Sequence, residues 1–93
     1  MTRGEFRKSI KILENAVDSA NRETKMFDFA LNYTTRKGFD SMSFFIQSFE
    51  SDGDFLYYEY CTTSSSDVER TFESCFRAIE SFKAEDKQYR GVI

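Results

Sequence analysis

Carboxylates and phenols are the side chains in this chain with the types and spacing to do chemistry. From Gly38 to Glu69 there are seven acids (Asp40, Glu50, Asp52, Asp54, Glu59, Asp67 and Glu69) and no Lys or Arg. Asp52 and Asp54 are spaced like a pair of carboxylates, with Tyr57, Tyr58 and Tyr60 close by in sequence. Acid–base catalysis wants a carboxyl group in a dry site where its pKa is raised, and an Asp-Gly turn is normally wet. Asp52-Gly53-Asp54 also lacks the remaining ligands of a calcium loop. The chain has no His, which removes His-based general bases and Ser-His or Cys-His nucleophile pairs. Two cysteines, Cys61 and Cys75, form neither a CxxC nor a filled zinc shell. No catalytic residue, metal site or cofactor is expected. A binding surface made of the seven acids is, the alternative being a solvated hairpin tip and a helix N-terminus that favours acids.

The net charge of −3 conceals a segregation. Residues 1–37 carry eight bases and five acids, and residues 70–93 carry five and four. The negative field is therefore concentrated in the central third, where a basic partner would be attracted. In an extended chain, alternate residues stand about 7 Å apart, so Glu50, Asp52 and Asp54 would form a row of separated negative charges. The expected partner is a basic DNA-binding protein, and the like charge argues against direct contact with nucleic acid.

The elements that must position these acids follow from periodicity. Thr2-Arg3-Gly4-Glu5 fits a capping box, and Phe6, Ile10, Leu13, Val17 and Ala20 recur at helical spacing, predicting a helix over about 3–21. Phe27, Phe29, Leu31 and Tyr33 alternate with polar or small residues, predicting a strand, although a helix through Met26 to Leu31 competes with it. Two further strands, about 41–50 and 54–62, flank Asp52-Gly53, a strong hairpin signal. A second capping box, Ser66-Asp67-Val68-Glu69, precedes a helical stripe of Val68, Phe72, Cys75, Phe76, Ile79 and Phe82. That predicts a helix over about 67–87 and a flexible tail at 88–93. The expected architecture is one α+β domain spanning 1–93, in the order helix, three antiparallel strands, helix. Both helices would lie on one face of the sheet.

A two-residue turn at Asp52-Gly53 would place Phe45, Phe49, Leu56, Tyr58 and Tyr60 on one sheet face. Phe27, Phe29, Leu31 and Tyr33 would join it if the first two strands pair around Gly38. That face is the expected core, together with Phe6, Ile10, Leu13, Val17, Phe72, Phe76 and Ile79. The opposite face would expose Phe44, Ile46, Phe55 and Tyr57, an apolar patch that a homodimer could bury; the alternatives are one helix on each face or a register off by one. No apolar run approaches the ~18 residues of a membrane span, and the N-terminus lacks the pattern of a signal peptide. The expectation is a cytoplasmic protein.

The element order is similar to that of double-stranded RNA-binding domains, but those carry a Lys-rich second-helix N-terminus that grips phosphates. Ser66-Asp67-Val68-Glu69 would repel RNA there. In size, charge layout and strand order the chain resembles the small acidic anti-defence inhibitors of bacteriophages, many of them DNA mimics. These include the anti-restriction nuclease protein of T-even phages and inhibitors of CRISPR nucleases. The resemblance implies a non-enzymatic inhibitor, acting in the host cytoplasm, that occupies the DNA-binding site of a host nuclease or nucleoid protein. The alternative is an interaction domain that works through its apolar sheet face.

Overall fold

Thr2 starts the first helix. Its Oγ1 accepts the Glu5 backbone N–H at 3.1 Å, the N-cap half of a capping box, and donates to Glu5 Oε1 at 3.0 Å, so Glu5 reaches back to the Thr2 hydroxyl and not to its backbone N–H. The computed structural model describes residues 1–50 and 53–92. Helix α1 spans Arg3–Glu23, followed by strands β1 (Phe27–Arg36), β2 (Phe39–Ser48) and β3 (Tyr57–Thr62), and helix α2 (Val68–Val92). The strands form one antiparallel sheet in the order β1-β2-β3, so the expected α+β architecture is observed. Helix α2 starts at Val68, with the Asp67 carbonyl accepting the Thr71 N–H at 3.0 Å. It continues through Val92, where a tail was expected, because nothing between Phe82 and Arg90 breaks a helix.

Phe6, Ile10, Leu13, Val17 and Ala20 are the buried stripe of α1. In α2 the stripe is Val68, Phe72, Cys75 and Ile79, with Phe76 and Phe82 partly buried beside it. The Phe6 and Phe72 rings meet edge to face, with centroids 5.4 Å apart.

The faces of β2 and β3 are the reverse of the expected ones, whereas Phe27, Phe29 and Leu31 of β1 lie in or against the core as expected. Lys37-Gly38 is a two-residue turn that pairs Arg36 with Phe39, and Gly38 takes a positive φ of 90° that a side chain would resist. This register sets Phe29 opposite Ile46 and Leu31 opposite Phe44. The apolar side of β1 therefore shares a face with Met42, Phe44 and Ile46, which are 0–1% exposed. Phe45 and Leu56, expected in the core, point away from the helices or lie in the loop.

The second hairpin is also looser than the two-residue turn predicted. β2 ends at Ser48 and β3 begins at Tyr57, and Phe45 pairs with Tyr58 instead of Tyr60. This shift of two residues preserves which side chains share a face. Gly53 has a φ of 103°, while Ser51 and Asp52 lie outside the described residues.

Candidate binding surface

The seven acids do not form one surface. Asp40 lies on the helix-facing side of β2, fully buried. Its Oδ1 accepts from Arg3 at 2.7 Å and its Oδ2 from Arg7 Nε at 2.9 Å. Those two hydrogen bonds hold the carboxyl well below the usual carboxylate range despite burial. An acid whose two oxygens are occupied inside the chain offers nothing to a partner, so Asp40 leaves the expected binding set.

Glu59 also faces the helices. It accepts the Tyr57 hydroxyl at 3.0 Å, in a cleft shared with Ser74 and Arg77 of α2. Burial and this acceptor push the Tyr57 phenol well above its ordinary pKa. Asp67 and Glu69 are exposed at the start of α2, where acids complement the helix dipole. The six residues of β3, roughly 20 Å of extended chain, separate them from Glu50 and Asp54. Those two remain exposed in the β2–β3 loop, and Asp52 lies outside the described residues.

The expected dimer patch is corrected as well. Phe44 and Ile46 are 0% exposed beneath the helices, and Tyr57 packs against the same core, its ring 5.8 Å from Phe44. Only Phe55 is exposed, and it stacks on the other side of the sheet against Phe45 and Tyr58, at 4.8 and 5.3 Å.

That other side is the most distinctive surface of the molecule. Both helices cover one face, and strand alternation puts Ala30, Asn32, Ser43, Phe45, Tyr58 and Tyr60 on the face they leave open. Phe55, Tyr58, Tyr60 and the adjoining Leu56 are each about half exposed, and Phe49 is 74% exposed. An aromatic side chain carries on the order of 150–250 Å², so three half-exposed rings and their neighbours make a patch of a few hundred Å². This is at the upper end of what a monomer shows.

Three polar contacts escaped the sequence reading: the Arg3–Asp40–Arg7 clasp, the Asn21 amide, and Asp86. Asn21 Nδ2 donates to the Phe29 carbonyl at 2.8 Å, and its Oδ1 accepts the Phe29 N–H at 2.9 Å. Asp86 Oδ1 accepts the N–H groups of Lys25 and Met26 at 3.0 and 2.9 Å. A signal for Asp86 existed. It continues the Val68, Phe72, Cys75, Ile79, Phe82 spacing, and an acid in an apolar stripe marks a buried polar contact.

Among the described residues no cluster of three or more His, Cys, Asp or Glu could hold a metal ion, and no helix is long and apolar enough to cross a membrane. Cys61 and Cys75 are free and buried, and burial pushes their thiols up to about 11 and about 12. They stay protonated and poorly nucleophilic. No family model, curated protein or solved structure matches the chain.

Proposed function

We propose that this chain is a non-enzymatic protein-binding domain that docks through the open face of its sheet. The observation that carries this reading is the contiguous Phe45–Phe55–Tyr58 cluster, extended by Tyr60 along β3, on the face no helix covers. Half-exposed aromatic side chains on a rigid sheet provide contact area at low cost in conformational entropy. Free, buried, protonated thiols go with a reducing, cytoplasmic setting.

A second reading keeps the acids. Glu50 and Asp54 are exposed beside Phe49 and Phe55, in a stretch without Lys or Arg. In that form the loop approaches the DNA-binding site of a basic nuclease or nucleoid protein, as a phage anti-defence inhibitor would.

Capture of partners by the immobilised chain, at low salt and at about 1 M salt, separates the two readings, because exposed charges are screened within about 3 Å at that ionic strength. Docking on the aromatic face predicts capture that survives salt and is lost in the Tyr58→Ser/Tyr60→Ser variant. Capture that disappears with salt and in Glu50→Lys/Asp54→Lys, yet survives loss of the tyrosines, would overturn the main reading in favour of the second.

A further inference from the structure

We propose that the occupant of the open face is a second copy of this chain, packed sheet to sheet with the strands of the two copies antiparallel. The inference rests on the docking reading and names its partner. It comes from how the open face changes along the strands. Pairing sets Asp28 beside Gln47 at one end. The next row holds Phe45 and Tyr58, with Phe55 stacked against both. Ser43 and Tyr60 form the middle row. Beyond them Thr34 and Thr62 flank Ser41, which sits so low between them that it is only 6% exposed. The far end carries Arg36 paired with the partly buried Phe39 at the turn. The face thus carries its ring cluster next to an acidic end, and the low Ser41 row separates that cluster from a basic end that also holds Phe39.

A two-fold axis lying between two such sheets, across the strands at the Tyr60 row, reverses the order of the rows. The bulky row of one copy then lies over the low Ser41 row of the other, and Asp28 comes opposite Arg36 of the second copy at both ends. Large side chains over small ones is how facing sheets interdigitate, and an isologous interface repeats each contact. Asp28 and Arg36 are both exposed, and neither forms an ion pair within the chain among the described residues. A parallel arrangement would bring Asp28 towards Asp28 and ring cluster against ring cluster.

A single-stranded nucleic acid, the other common occupant of aromatic sheet faces, needs a basic track for its backbone. Along the strands of this face the charged residues are Asp28 and Arg36, one of each sign, and Asp54 directly precedes Phe55 in sequence. Rows about 6.7 Å apart and strands about 4.8 Å apart outline roughly 400 Å² of sheet. The exposed Phe49, Phe55 and Leu56 extend it, so two copies together approach the ~1,000 Å² of the smallest specific interfaces. The expected dimer is a micromolar one.

Analytical ultracentrifugation at low salt tests this on the wild-type chain, Asp28→Arg, Arg36→Asp, the double exchange and Tyr60→Ser, with thermal melts as a folding control. The wild type should dimerise below about 500 µM. Each single reversal should weaken association by about tenfold or more, the double exchange should restore it to within about threefold, and Tyr60→Ser should abolish it. A wild type that stays monomeric overturns the proposal, as does a dimer indifferent to Tyr60→Ser. A dimer that the double exchange does not restore overturns the antiparallel register. A monomer whose capture of other proteins still depends on Tyr58 and Tyr60 would sink the self-association and leave the docking reading standing.

Discussion

Asp40 carries its charge inside the fold, and that has a consequence for pH. Arg3 and Arg7 hold its carboxyl below the value it has in the unfolded chain. A depressed folded pKa contributes stability that is complete above the unfolded value of about 3.9 and is lost as pH falls below it. The melting temperature should therefore drop on acidification below about pH 4. Asp40→Asn should melt lower than wild type at pH 7 and show a shallower acid limb, in melts followed by circular dichroism between pH 2 and 7. Parallel acid limbs in the two proteins would mean the clasp contributes nothing. The clasp was invisible in the sequence because it joins residues 37 and 33 positions apart. What could be read was narrower: Asp40 occupies the same alternation as Met42, Phe44 and Ile46, so an inward carboxylate had to find cations.

At the scale of elements, β1 is an edge strand of ten residues, and a free edge invites pairing with other chains. The Asn21 side chain closes part of that edge. It exchanges two hydrogen bonds with the Phe29 backbone as a neighbouring strand would, and so docks the end of α1 onto β1. Asn21→Ala leaves a partly buried N–H and C=O without this partner, which should cost about 1–2 kcal/mol and lower the melting temperature. Asn21→Asp keeps the acceptor but loses the donor, so it should fall between the two; an alanine variant as stable as wild type would show that water replaces the amide.

The helices and strands themselves were legible, because each rests on local periodicity and capping that short stretches of sequence carry. Their pairing was not. Asp52-Gly53 advertises a tight turn, yet the strands separate at Ser48 and Tyr57, since Phe49, Phe55 and Leu56 sit in the loop. At the first hairpin the outcome hinged on whether the turn centres on Gly38 or on the Lys37-Gly38 pair. One residue of slip there exchanges the faces of β1 relative to β2.

For the whole molecule, that exchange decides which half of an unusually apolar sheet is core and which is surface. β2 is ambiguous because it has large apolar side chains on both faces, Met42, Phe44 and Ile46 on one and Phe39 and Phe45 on the other. Hydrophobicity alone cannot label them, and only the helices decide. Phe44 and Phe45 therefore make a direct test, being neighbours of identical chemistry in the same strand. Phe44 is 0% exposed and touches the core through Tyr57, so Phe44→Ala should cost about 3–5 kcal/mol, a large share of the stability of a small domain. Phe45 lies on the open face with Phe55 against it. Truncating it leaves no enclosed cavity, and Phe45→Ala should cost about 1 kcal/mol or less, in line with substitutions away from the core. Urea unfolding at a protein concentration low enough to hold both variants monomeric measures the two costs without interference from self-association. If Phe45→Ala were the more damaging of the two, the helices would cover the opposite face. The aromatic cluster would then be core, and both the docking surface and the antiparallel dimer built on it would be lost.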